Sequence, residues 1–349
     1  MPLYQEKENS GFRVLKEALK EKNPGRLYVF FGEEDYLRNY YLDALKKLLM
    51  DGPAADFNFH RFNAESMDMN TFGDALDAIP MMADRSLIRI DDYDPFKDSE
   101  ENRNRLAAML SDLPDYCCVV FNYISIPWKP DKRMKKLWDA FQKSAVTVEF
   151  AKQSERELCA WISRHFKSYG KEIDSRLASY LVFVTGASMT AIAAEIEKIA
   201  AYSDADLIRK SDIDQVVEPV LDAVVFDITD ALTKGNFALA LEKLQGVLKK
   251  QEDPFAILGA VSTQMRRLRA AKILQSEGRG KMDLCHLCGI REYPAAILMN
   301  AAAGLPDQFC DQAVLLCEET DFRIKNSYDT PERMLELLLL KIAEEAHHA

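Results

Sequence analysis

The chain has 349 residues, too many for one ordinary core and suited to two or three domains of about 100 to 150 residues each. Hydrophobic residues at 48% and charged residues at 29% describe a chain that folds throughout and exclude the apolar-poor profile of disorder. The net charge of −11 argues against nucleic-acid binding by overall electrostatics, because phosphate contact requires basic surface, so any DNA contact must be local.

No apolar run reaches the roughly 20 residues of a membrane helix. The opening MPLYQEKENS lacks the apolar core of a signal peptide, so no membrane partner and a cytoplasmic location are expected. Seven scattered cysteines do not make a disulfide framework and read as reduced thiols.

In chain order, the first 150 residues alternate β-rich runs with helical patterns, as βαβ units on a parallel sheet do. The strand candidates are Leu27 to Phe31, Phe57 to Phe62, Ser86 to Ile90, Cys117 to Tyr123 and Val146 to Phe150. Between the first two, Tyr36, Leu37, Tyr40, Tyr41, Leu45 and Leu48 recur at helical spacing and predict a helix packed on the sheet. After Phe150 the β signal stops. A capping box, Ser154-Glu155-Arg156-Glu157, opens a helix carrying Leu158, Trp161, Ile162 and Phe166. Further helices start at Asp174 and near Ser188, a short one spans Ser211 to Val217, and Glu218-Pro219 reads as a hinge. From about Leu221 onward helical periodicity dominates, over Phe226 to Leu232, Phe237 to Leu248, Phe255 to Leu274 and Met334 to Ala346. The fold class is therefore an α/β parallel-sheet domain followed by helical domains, with boundaries near 150 and 219. No fixed-period repeat is visible.

A nucleotide bound to such a sheet would place its phosphates at the turn after the first strand. That turn, Phe31-Gly32-Glu33-Glu34-Asp35, has one glycine followed by three carboxylates, and no G-x-x-x-x-G-K-[ST] occurs in the chain. Negative side chains there repel a triphosphate, so no bound cofactor and no nucleotide hydrolysis are expected. Gly32 reads as a tight strand-to-helix turn, with the acidic residues favouring the helix's positive end. Cys285-His286-Leu287-Cys288 is the only C-x-x-C and lacks two further nearby zinc ligands; Cys310 and Cys317 read as buried thiols. His60, His165 and His286 stand apart from any nucleophile motif, and the Asp91-Asp92 pair reads as a solvated strand end rather than a metal site.

Two basic segments are candidate DNA contacts. The first is Lys129, Lys132, Arg133, Lys135 and Lys136 beside Trp128 and Trp138, of which Lys132, Arg133 and Lys136 are singled out. The second is Arg266, Arg267, Arg269 and Lys272, of which Arg266 and Arg267 are singled out. A solvated helix face is the ordinary alternative for both.

The sharper feature is Ala78-Ile79-Pro80-Met81-Met82-Ala83-Asp84-Arg85, ahead of the third strand. Neighbouring residues face different ways, so Met81 and Met82 do not readily enter one core together. Methionine suits a flexible plug for a partner's apolar pocket, although periodicity alone makes burial the ordinary reading.

Taken together, the segments resemble the bacterial DNA polymerase III delta subunit family over almost the whole chain. Leu27 to Leu37 looks like its opening strand and acidic turn, and Ile79 to Leu87 is similar to the segment whose adjacent apolar pair inserts into the sliding clamp. Gly186-Ala187-Ser188-Met189 and Ala194 to Ile199 resemble its lid helices. Phe226 to Leu232 with Lys234-Gly235, Gln264 to Leu268 and Asp321 to Lys325 resemble landmarks of its collar. The delta-prime family fits less well, because neither a Ser-Arg-Cys motif nor a four-cysteine zinc module is present.

The resemblance implies an AAA+-like clamp-binding domain over 1–150, a three-helix lid over 151–219 and a helical collar over 220–349. It implies a non-catalytic subunit of the DNA polymerase (nucleotidyltransferase) holoenzyme that binds and opens the beta sliding clamp. By carry-over Met81 and Met82, flanked by Pro80 and Ala83, are the plug. The implied partners are the gamma/tau and delta-prime subunits, the clamp and primed DNA. The rival readings are a degenerate AAA+ ATPase and a scaffold carrying a relic α/β module.

Overall fold

The computed structural model describes residues 10–50, 55–326 and 328–348, and the chain divides into two compact units, Met1–Gln153 and Ser154–Ala349. The first unit runs α1 (Ser10–Lys20), β1 (Leu27–Phe31), α2 (Asp35–Leu49), β2 (Phe59–Asn63), α3 (Met69–Asp77), β3 (Ser86–Asp91), α4 (Glu100–Ser111), β4 (Cys117–Asn122), α5 (Lys135–Ser144) and β5 (Val146–Glu149). Every strand pair is parallel and the order is β2-β3-β4-β1-β5.

Side chains alternate across a strand, so β1 feeds two cores. Leu27 and Val29 join Ile88, Ile90, Val119 and Phe121 against α3, α4 and α5. Tyr28 and Phe30 join Leu87, Cys118, Val120 and Val148 against α1 and α2. Sheets covered on both faces carry continuous apolar strands, which explains why every residue of β4 is buried.

The strand candidates hold with small changes. The second begins two residues late, because Phe57 and Asn58 belong to a 3-10 turn, Ala55–Asn58. Helix α1 was not singled out in the sequence; its Leu15 is fully buried, and the Phe12 ring meets that of Phe150 at 5.8 Å.

The second unit is all-helical: α6 (Glu155–Ser168), α7 (Ser175–Val184), α8 (Met189–Tyr202), α9 (Lys210–Val216), α10 (Leu221–Thr233), α11 (Phe237–Lys249), α12 (Pro254–Ser276), α13 (Lys281–Cys288), α14 (Glu292–Ala303), α15 (Asp307–Asn326) and α16 (Pro331–His348). The capping box at Ser154 forms as read, with Ser154 N–H donating to Glu157 at 2.7 Å and Glu157 N–H donating to Ser154 Oγ at 3.3 Å. Helix α12 starts on an Asp253 cap with Pro254 in its first turn and is 23 residues long, about 34 Å at 1.5 Å per residue. Its Ile257, Val261, Met265 and Leu268 lie in the core that α10, α14, α15 and α16 share. Among the described residues no single helix is long and apolar enough to cross a membrane. Helices α7 and α8 reach that apolar length only jointly, across a bend of 118°, and their Leu181, Val182, Ile192 and Ile196 are buried in this unit.

Candidate functional site

The turn after β1 is the first place to examine, because ligands of parallel α/β sheets bind beyond the carboxyl ends of the strands. Gly32 adopts φ +123°, and a Cβ there would lie 2.3 Å from the carbonyl oxygen of Phe150, so only glycine fits. The approach is used: Phe150 N–H donates to the Phe31 carbonyl at 2.7 Å and Glu34 N–H donates to the Phe150 carbonyl at 2.8 Å. Arg38, only 1% exposed, donates to the Gly32 carbonyl at 2.9 Å and ion-pairs with Asp35. Glu33 pairs with Lys152 at 2.9 Å. Groups that would cradle a phosphate are thus spent on fastening β1 to the end of β5.

The neighbouring acidic pair is equally committed. Asp91 is 5% exposed and accepts from Arg61 at 2.8 Å, Arg89 at 2.7 Å and Asn122 at 2.6 Å. Asp92 accepts from the N–H groups of Ile124 at 2.7 Å and Ser125 at 3.0 Å and from the Ser125 hydroxyl at 2.7 Å. Burial pushes the Asp92 carboxyl up, but these hydrogen bonds outweigh it and hold the group below the usual carboxylate range. Among the described residues no group of three His, Cys, Asp or Glu side chains is assembled to hold a metal ion. Burial raises all seven thiols, Cys118 to about 12 and Cys310 and Cys317 to about 11, which leaves none of them a ready nucleophile at neutral pH. Burial likewise lowers His60 and His165, and the ring of the latter meets that of Trp161 at 4.9 Å, tilted by 57°.

The segment between α3 and β3 is different in kind. Helix α3 stops at Ala78, and Ile79-Pro80 turns the chain out of helical geometry, as the residue before a proline must. Both methionines then face solvent, Met81 at 53% and Met82 at 80% exposed, so the ordinary expectation of burial does not hold. Pro80 and Ala83 are half-buried. Ile79 at 83% and Phe57 at 71% are also exposed, and Phe57 adjoins the loop through its neighbour Asn58. Asn58 is 3% exposed; its carboxamide accepts from Met81 N–H at 2.7 Å and donates to the Met81 carbonyl at 2.9 Å. At the other end, Arg85 donates to the carbonyls of Pro24, Gly25 and Cys117. Met82 sits between these anchors at φ +51°, a left-handed conformation that costs a non-glycine residue about 1 kcal/mol. Reading the residues in order found the methionines but not Phe57 or Asn58, which were assigned to a strand; an asparagine, disfavoured in strands, was the available signal.

The basic candidates divide. Trp128 packs on Phe96, Tyr123 and Phe141, with ring centroids 5.0 to 5.7 Å apart, and is a half-buried residue packed against the core rather than an exposed platform. Arg133 is held in a bidentate pair by Asp131, whose carboxyl it pulls down to about 2. Lys132 lies 5.7 Å from the Trp138 ring centre and Lys136 is exposed in the first turn of α5. In the second unit Arg269 and Lys272 pair with Asp311 and Asp307, tying α12 to α15. Arg266 is exposed, and Arg267 lines a cleft of about 290 Å³ with Glu155, Asp222, Arg291 and Tyr293.

Comparison with known proteins is consistent along the chain. The family model "DNA polymerase III, delta subunit" matches residues 28–151 and "DNA polymerase III delta subunit, C-terminal domain" matches residues 222–342, together more than half of the sequence. The DNA polymerase III subunit delta of Bacillus subtilis is 22% identical over 93% of this chain and 95% of its own length. A probable DNA polymerase III subunit delta of Aquifex aeolicus is 20% identical over 81% of each. The solved Bacillus subtilis DNA clamp loader delta protein superposes with a TM-score of 0.59, at 20% identity, over 95% of this chain and 99% of that one. That structure supports the arrangement of a five-stranded parallel sheet followed by helices.

Two outcomes test the geometry of the strand ends. Gly32→Ala is expected to cost about 3 kcal/mol, read from the denaturant midpoint at unchanged slope, since left-handed strain and a backbone clash coincide. A cost below about 1 kcal/mol would contradict the close approach. Asp92 has a folded pKa below its unfolded value, so it contributes stability above that value and loses it as pH falls through the folded one. Asp92→Asn, tolerated at φ +52°, should cost about 1 kcal/mol at neutral pH, discounted for partial exposure. It should also flatten the loss of stability of the wild type as pH drops below 3.8. Parallel acid-denaturation curves for the two chains would remove the role given to Asp92.

Proposed function

The chain belongs to the DNA polymerase III delta subunit family, and on that premise we propose that it is the subunit through which a clamp loader grips and opens the beta sliding clamp. Clamp-loader function follows from the family; the contact and the mechanism are this proposal. The observation that carries it is the exposed apolar loop around Met81 and Met82, anchored at both ends on a rigid sheet. Apolar side chains held out in water at the cost of backbone strain fit a plug that is buried in a partner's pocket.

A ligand shifts an equilibrium only by its differential affinity for the two states. The chain must therefore bind the open ring better than the closed one, and the binding energy of the loop is what it has to spend on opening. No catalysis of its own is proposed. The turn at Gly32 has its backbone and carboxylates engaged, so ATP binding and hydrolysis belong to the gamma/tau partners, with delta-prime completing the assembly. Residues 151–219 would form the lid and residues 220–349 the collar that joins these partners, in the cytoplasm. During loading, primed DNA would touch Lys132 and Lys136, and Arg266 and Arg267 on α12. Arg133 is the weaker candidate because Asp131 already holds it. Lysines in the first turn of α5 oppose the helix dipole and so do not serve the helix, which supports an anionic partner there.

Binding of the purified chain to the clamp of the same organism, without nucleotide, tests the central contact. Met81→Ala/Met82→Ala is expected to lose about 2 kcal/mol or more of affinity while staying folded, the magnitude of an interface hot spot. If the wild-type chain ignores a clamp that is competent for other ligands, the scaffold reading replaces this one. ATP at millimolar concentration should leave the melting temperature of the chain unchanged; a concentration-dependent rise would revive the degenerate ATPase.

A further inference from the structure

We propose that Asn58 is a positioning residue for clamp recognition, holding the Met81–Met82 loop in its binding conformation before the clamp arrives; this rests on the loop being the clamp contact. The loop's large apolar side chains do not anchor it, since Ile79, Met81 and Met82 are all exposed and only Pro80 and Ala83 are half-buried. What fixes its middle is one carboxamide that takes both hydrogen-bonding groups of a single residue, Met81. That is the pairing a neighbouring strand would supply, delivered here by a side chain.

The placement explains the pattern. The β2–β3 ladder begins at Phe59↔Leu87, so the backbone of Asn58 stands one step before the first pair and its side chain reaches back to the loop instead. With Met81 pinned on one side and Arg85 on the other, the intervening chain is short, and Met82 takes its left-handed conformation with the side chain 80% exposed. Phe57, immediately before Asn58, is carried to the same edge. Asparagine is suited to this because its amide donates and accepts at once; an apolar residue does neither, and a carboxylate only accepts.

A loop released from Asn58 would sample many conformations, and apparent affinity falls by the fraction that stays competent. Asn58→Ala is therefore expected to weaken clamp binding about tenfold, the loss falling on the association rate while dissociation stays within about twofold. In the full-length wild-type chain the Met81 amide should exchange with solvent at least about tenfold more slowly than in an unstructured peptide of the same sequence, and Asn58→Ala should abolish that protection with the melting temperature nearly unchanged. Asn58→Leu keeps the size of the buried side chain but removes both the acceptor for Met81 N–H and the donor to its carbonyl; it carries the same readings should Asn58→Ala not fold.

An unprotected Met81 amide in the wild type overturns the proposal without any variant. So does an Asn58 variant that loses protection yet binds the clamp as the wild type does, or one whose loss falls on dissociation, which would make Asn58 a contact of the complex. Met81→Ala/Met82→Ala is measured alongside. If that chain binds normally, the loop is not the contact and both readings fail; if it loses binding while the Asn58 variants do not, only the positioning role fails.

Discussion

The close approach of Gly32 to the backbone of Phe150 is the constraint from which much of the first unit follows. It joins the turn after β1 to the end of β5, lets Glu34 N–H reach the Phe150 carbonyl, and places Arg38 where it ion-pairs with Asp35 and donates to the Gly32 carbonyl. Burying an arginine is costly unless it is paired and hydrogen-bonded; here both terminal nitrogens are engaged, while Nε is buried without a partner. The result is a parallel sheet whose usual ligand position is occupied by its own polar groups. On the proposed reading the sheet then serves as a rigid mount.

What is mounted is a short apolar loop at the opposite, amino-terminal end of β3. Its exposure is large for its size, because Ile79 and Met82 each leave four-fifths or more of their surface in water. Contiguous apolar surface of this kind marks an interaction site more often than an accident of sequence. Anchors at Asn58 and Arg85 keep the ordering cost of binding low, since little backbone freedom is left to lose.

Much of this was legible in the residues. Apolar runs located the five strands to within two residues, and Ser154-Glu155-Arg156-Glu157 located the first helix of the second unit, because alternation and capping are local. The adjacent methionines also stood out, since two large apolar neighbours cannot share one face. The roles of Asn58 and Arg38 were not legible. Asn58 depends on Met81 across 23 residues, which no spacing rule reports; the pairing of Arg38 with Asp35 at i,i+3 is of a kind that spacing does report, but its burial against the Gly32 turn as it closes on Phe150 is not. The basic segments show the same limit. Arg269 and Lys272 look like Arg266 in sequence, yet acidic residues on α15 make them part of the helical core's outer frame.

The charge balance gives the proposed mechanism its asymmetry. A chain of net charge −11 gains nothing from long-range attraction to DNA, so the proposed contacts at Lys132, Lys136, Arg266 or Arg267 would be local and would weaken as salt rises. The apolar loop contact has no such dependence, because burying methionine and isoleucine side chains is driven by exclusion of water. Under the proposed function such a subunit would hold a protein ring through a salt-tolerant contact and DNA through a salt-sensitive one. Raising ionic strength should therefore separate the two functions, weakening DNA contact while clamp binding by the same chain persists.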